Sequence, residues 1–277
     1  MVKPGATPDI FNIEFRRIFQ SLGSIISAES SGRARSDSLR IQIKRSFSRG
    51  LMFDASYTLS KSLDNGGTVF SSPANTDSFQ WARSPFDRRH NLVVDFSYDL
   101  PGPKLPLIGG MLSGWQMSGI VELRSGLPLD IYQVQDSTLT GGDPSGHGVP
   151  DLVGPFTRID PRKTLSIMTN GAYETGHFFF DPSAFRVVSI TDYTQARAGN
   201  LPRNAFDGPG FHMWSISLGK TCRITDSQRV IVRADIRNLF NHANFDSPVL
   251  QADSPFFGQV LSAAPGRTIQ LSARYTW

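Results

Sequence analysis

The stretch RTIQLSARYTW at 267–277 alternates strictly: Ile269, Leu271, Ala273, Tyr275 and Trp277 stand at every second position, with Thr268, Gln270, Ser272, Arg274 and Thr276 between them. Successive side chains of a β-strand point to opposite faces, so this pattern reads as a strand with one apolar and one polar face. Further back, RVIVRADIR from 229 sets Val230, Val232, Ala234 and Ile236 against Arg229, Arg233, Asp235 and Arg237. FHMWSISLGK from 211 sets Trp214, Ile216 and Leu218 against Ser215, Ser217 and Gly219.

The same alternation runs through WQMSGIVELR from 115 and NLVVDFSYDL from 91, with Ile120 and Val93 out of phase. LMFDASYTLSK from 51 and SLRIQIKRSF from 38 complete the set, and SIISAES at 24–30 is a weaker eighth run. A tilted strand crosses the hydrocarbon layer in about 9 to 11 residues, the length of these runs. Strands of water-soluble sheets need only about 5 or 6.

The links between runs alternate short and long. SRG at 48–50, residues 101–114 and TDSQ at 225–228 are short, whereas about 63–90, 134–210 and 246–266 are long. In an up-and-down antiparallel sheet every other connection lies at the same edge, so one edge carries turns and the other carries excursions. Transmembrane β-barrels have that asymmetry. The charges Arg40, Lys44, Asp54, Asp95, Asp99, Glu122, Arg233, Asp235, Arg237 and Arg274 all share the polar face. Lipid would penalise a basic residue there by about 2–4 kcal/mol at mid-depth, so that face is expected to line a wet or protein-filled lumen. The aromatics Phe47, Tyr57, Tyr98, Trp115, Tyr275 and Trp277 sit near run ends, where an interfacial girdle would place them.

Composition agrees with an all-β chain. Its 277 residues hold 22 Arg and 20 Asp but only 6 Lys and 4 Glu, together with 25 Gly and 18 Pro, a profile poor in exposed helix formers and rich in turn formers. A single cysteine, Cys222, excludes an internal disulfide and a Cys-rich zinc site. No run approaches the roughly 18–20 apolar residues of a membrane helix. The pI of 9.4 is accounted for by lumen charge, and no nucleic-acid partner is expected.

Candidates for chemistry are few. His90 stands beside Asp87, Arg88 and Arg89, which read as a charged rim anchor rather than a proton relay. Asp64, Asp77, Asp143 and Asp151 lie in polar loops without EF-hand spacing. His147, His177, His212 and His242 are too scattered for a zinc motif, and Ser145 in DPSGHG lacks a hydrolase elbow. No catalytic residue, metal or cofactor is therefore expected. The longest loop carries Phe178, Phe179, Phe180, Phe185 and Tyr193, which could contact a ligand or, the simpler reading, fold the loop onto a small core of its own.

Four strings then matter together: YTLSKSLD at 57–64, SPFDRRH at 84–90, GNLPRNAFDGPG at 199–210 and RADIRNLFNHANF at 233–245. Over about residues 24–277 the chain resembles the C-terminal barrel of TonB-dependent outer-membrane receptors, nearest to the Oar-like group that carries a carboxypeptidase-regulatory-like domain. That resemblance implies antiparallel up-and-down strands of a barrel of about 22, with a plugged lumen and long extracellular loops. It also implies the Gram-negative outer membrane and uptake or binding of a substrate. The implied partners are outer-membrane lipid, the barrel-assembly machinery, and TonB through an N-terminal region outside this chain.

Seven or eight strands do not make that barrel, and no plug, TonB-contacting segment or signal peptide is found. The expectation is that 23–277 form the C-terminal part of a longer receptor's barrel, with 1–22 as a lead-in. Leu271, Ala273, Tyr275 and Trp277 resemble the sorting signal of such barrels. The alternatives are a complete eight-stranded barrel with a structural or adhesive role, and a soluble carbohydrate-binding sandwich.

Overall fold

The computed structural model of the chain describes residues 32–65, 81–102, 113–135, 137, 148–189 and 197–277. Seven long strands carry the architecture: β1 (Ala34–Ser48), β2 (Leu51–Asp64), β3 (His90–Leu100), β4 (Trp115–Arg124), β5 (Phe211–Arg223), β6 (Arg229–Arg237) and β7 (Thr268–Thr276). They form one antiparallel meander in chain order, extended at the loop end of β2 by the short strand Ala82–Arg83. Among the described residues β1 and β7 are paired on one side only. The run at 24–30 lies outside the described residues.

Register keeps the apolar face continuous. Ile41 stands opposite Tyr57, Tyr57 opposite Leu92, and Leu92 opposite Leu123. At the far side Ile216 faces Ile236, which faces Ile269. A slip of one residue anywhere would turn a strand's apolar side chains to the wet face, so the pattern specifies the pairing. Val93 and Ile120, out of phase in sequence, sit on the polar face opposite Glu122 and Asp95. Polar side chains on that face link across strands: Arg40 donates to Ser56 at 3.0 Å, Gln42 to Asp54 at 2.8 Å and Gln116 to Asp99 at 3.0 Å.

The turn between β1 and β2 is two residues long. Arg49 and Gly50 have φ of 52° and 80°, the positive pair that matches the twist of a tight hairpin. A side chain at position 50 would also stand 2.9 Å from the carbonyl oxygen of Asp99, which leaves only glycine comfortable there. All three short connections lie at this end. The connections 65–89, 125–210 and 238–267 lie at the other.

The two faces of the sheet are not where the molecule buries its apolar side chains. Every residue of β1 is exposed, as are all but the last of β7, and on the seven strands Val121 is the one buried apolar side chain among the described residues. The core is instead built from Leu129, Ile131, Phe179, Phe180, Ala184, Phe185, Leu201, Ala252, Phe257 and Val260. All ten belong to the second and third long connections. The loops thus fold on each other into a cap above the end of the sheet.

Candidate functional site

The cap owes its shape to residues in the four strings singled out above. From SPFDRRH, Asp87 is 1% exposed and accepts from the backbone N–H of Ser62 at 2.8 Å and from Arg83 Nε at 2.9 Å. Arg83 reaches on to Asp207 at 2.7 Å, in the GNLPRNAFDGPG string. Arg203 of that string bonds Asp64, the end of YTLSKSLD, and Asn204 donates to the Arg83 carbonyl at 2.7 Å. Arg88 donates to the Ser125 carbonyl at 2.8 Å, and the Tyr57 hydroxyl meets His90 Nδ1 at 2.8 Å. The reading of 87–90 as an anchor at the rim describes these contacts.

The fourth string works through asparagines. Asn238 and Asn244 are each 2% exposed. Asn238 brackets the turn after β6, donating to the His242 carbonyl and accepting from the His242 N–H, both at 2.9 Å. Asn244 does the same to the start of β5, accepting from the His212 N–H at 2.7 Å and donating to the His212 carbonyl at 2.9 Å. Asn238 and Asn241 hold left-handed backbone, φ 53° and 51°, which asparagine tolerates better than most residues. His212 and His242, widely separated in sequence, stack with ring centroids 4.8 Å apart. Among the described residues no three His, Cys, Asp or Glu side chains are grouped to hold a metal ion.

Above the rim, phenylalanines fill the cap. Phe156 stacks on Phe206 at 4.0 Å, and Phe180 meets Phe185 and Phe257 edge-on at 5.4 Å and 5.2 Å. Edge-to-face pairs of this kind add about 0.5–1.5 kcal/mol to the apolar area each ring buries. Phe178 and Phe180 have no exposed surface, and Phe179 and Phe185 are each 8% exposed. All four rings are buried within the cap. Tyr193, with Asp77, Asp143, Ser145 and His147, lies outside the described residues.

Of the four acids named as cation candidates from sequence, the two described ones, Asp64 and Asp151, are each paired with an arginine. Asp151 takes both guanidinium nitrogens of Arg197, at 2.8 Å and 2.5 Å, and that hydrogen bonding holds its carboxyl below the usual range despite partial burial. Asp64 is likewise committed to Arg203. The sequence shows both only as acids at polar loops, and the structure adds an arginine partner to each. Their partners lie 46 and 139 residues away, and no local spacing announces such pairs.

With strand length, alternation and one-ended loops in place, the comparisons with known proteins can be set beside the geometry. A family model described as an outer membrane β-barrel domain matches residues 2–270. The chain belongs to the outer membrane β-barrel domain family. Among solved structures it is similar to P. aeruginosa FpvA bound to heterologous pyoverdines, as an iron complex, at 12% identity and a TM-score of 0.41. That match covers 88% of this chain and 20% of the other, so the chain spans about one fifth of its length. A comparison with curated proteins finds no match.

The outer-membrane barrel assignment orients the sheet. Its continuous apolar face lies against lipid and its charged face against the lumen, the arrangement with the lower transfer cost. Tyr98, Trp115, Tyr275 and Trp277 lie toward the short-turn end, and Tyr275 and Trp277 stack at 5.8 Å. The cap stands on the extracellular side of a Gram-negative outer membrane. This barrel domain is not an enzyme.

Proposed function

We propose that this barrel domain is the C-terminal portion of a TonB-dependent outer-membrane receptor, of Oar-like type, that binds or takes up a substrate across the outer membrane. The observation that carries the reading is the pairing of the sheet. Its seven strands form an open arc among the described residues, with β1 and β7 each offering an unpaired edge. Unpaired backbone groups in lipid cost several kcal/mol each, so strands of a larger barrel belong beside both edges. In this reading residues 23–277 form the final part of the barrel wall, 1–22 lead into it, and TonB acts through a region outside this chain. A fastened extracellular cap over a lumen is where a receptor would first meet its substrate.

The test is to purify the protein from its native outer membrane with a small tag inserted at 141–147, after formaldehyde crosslinking in the presence and absence of TonB. A polypeptide well above 30.5 kDa that crosslinks to TonB is the expected result. A 30.5 kDa species that migrates as a closed, heat-modifiable barrel would replace the receptor with the small structural or adhesive barrel.

A further inference from the structure

The lumen face of the last three strands carries its charge unevenly. Residues directly opposite each other across an antiparallel pair share a face, so the register places Arg223 of β5, Arg229, Arg233, Asp235 and Arg237 of β6, and Arg274 of β7 together on the lumen side. Five arginines there meet one acid. The lumen acids Asp54, Asp95, Asp99 and Glu122 lie on β2–β4 instead.

The arginines form a column. Arg223 stands directly opposite Arg229, and Arg274, opposite Ile231, is diagonal to Arg229 on one side and to Arg233 on the other. Direct partners hold their Cβ atoms about 4.5–5.5 Å apart and diagonal ones about 7–8 Å apart. From Arg229 to Arg237 the strand climbs about 27 Å at about 3.4 Å per residue. The column thus runs from the short-turn end of the wall to its cap end.

All five guanidinium groups belong to exposed residues. Arg233 is paired, to Asp235 at 2.8 Å. Among the described residues no hydrogen bond or ion pair engages the side chains of Arg223, Arg229, Arg237 or Arg274. Like charges directly opposite weaken a sheet, so Arg223 facing Arg229 is a cost that an anionic occupant removes.

We propose that this column binds an acidic oligosaccharide of the uronate class, its carboxylates resting on successive arginines. The inference names a substrate class for the receptor reading above and rests on it. A guanidinium matches a carboxylate in a planar, two-pronged contact. Between the arginines, Ser217, Thr221, Gln270, Ser272 and Thr276 share the lumen face and offer both donors and acceptors to the hydroxyls of a sugar ring. A neutral glycan leaves the charge unmet, and a single small anion occupies only one rung. A wall of one sign also concentrates anions along its length.

Calorimetric titration of the protein purified from its native outer membrane into nonionic detergent tests the proposal, with hexagalacturonate as probe and maltohexaose as the neutral control. Saturable binding of hexagalacturonate is expected, weakening as salt rises. The double variant Arg229→Gln with Arg274→Gln should weaken it by about tenfold or more, since each lost charged contact is of that order. Arg35→Gln with Lys61→Gln removes the same charge from the outer face of β1 and β2 and should leave binding unchanged. Absence of saturable hexagalacturonate binding overturns the proposal. So does equal affinity for maltohexaose, indifference to the lumen substitutions, or an equal loss in both double variants. The TonB crosslink reads the receptor assignment independently, so the two ideas fail separately.

Discussion

Arg203 bonds Asp64 twice across 139 residues, donating from Nη2 to both the carboxylate and the backbone carbonyl at 2.6 Å. Both side chains are 12% exposed, and the pair joins the longest loop to the end of β2. A largely buried pair of this kind is costly to break from one side, because the survivor keeps its desolvation penalty without its partner.

Asp64→Ala is therefore expected to destabilise the folded chain by about 3–5 kcal/mol. The urea midpoint in detergent measures it. The double variant Asp64→Ala with Arg203→Met should recover part of the loss, since it no longer buries an unmatched guanidinium. A double variant no more stable than Asp64→Ala alone would show that the pair acts only through packing.

Phe180 is fully buried and touches Phe156, Phe185 and Phe257. Phe180→Ala should cost about 3–5 kcal/mol, the range for large-to-small changes in a packed interior. The damage should stay in the cap, because the seven strands draw on no part of that core. Limited proteolysis should cut within 125–210 and 238–267 while far-ultraviolet circular dichroism keeps its β signal. Loss of both together would mean that cap and sheet fold as one unit.

Asp151 gives the cap a dependence on pH. Hydrogen bonds from Arg197 lower its carboxyl below the ordinary value of 3.8, so the folded state binds this proton less readily than the unfolded chain. The stabilisation is complete above pH 3.8 and is lost as pH falls through the lower folded value. Arg197 is 54% exposed, which keeps the effect under about 1 kcal/mol. The Asn200 amide, which donates to Asp151 at 3.3 Å, reports it. Its hydrogen exchange, corrected for intrinsic acid dependence, should accelerate below pH 3.8, and Asp151→Asn should remove the step.

Leu271, Ala273 and Tyr275 share the lipid face of β7. Read with Trp277 as an assembly signal, they predict that deleting Trp277 impairs insertion of the parent protein into the outer membrane. Heat-modifiable protein in outer-membrane fractions is the measure, and unchanged insertion would refute the assignment.

How much of this was readable from sequence depends on the range of the interaction. The strands and their facing were legible because side-chain direction alternates with a fixed period, and even Val93 and Ile120 were correctly left outside the apolar phase. The sheet extends beyond the alternating runs at β1, where Ala34–Asp37 continue the pairing without an apolar face, and at β2 and β5, which run on to Asp64 and Arg223. The cap was legible only as a loop rich in phenylalanine. Its fasteners, Arg203 to Asp64 and Arg197 to Asp151, pair distant residues, and nothing in the local composition of either partner predicts the other. The asparagines of RNLFNHANF were visible as a string without their role as turn brackets being visible.

A cap with its own interior changes what recognition costs. Binding surfaces made of loose loops lose conformational freedom when a ligand arrives, about 0.5–1.5 kcal/mol for each immobilised side chain. Here Phe180, Phe257, Asn238 and Asn244 are already locked before anything binds. Encounter with a ligand should then proceed as lock and key, with selectivity set by the shape of a preorganised surface rather than by loops closing around a guest.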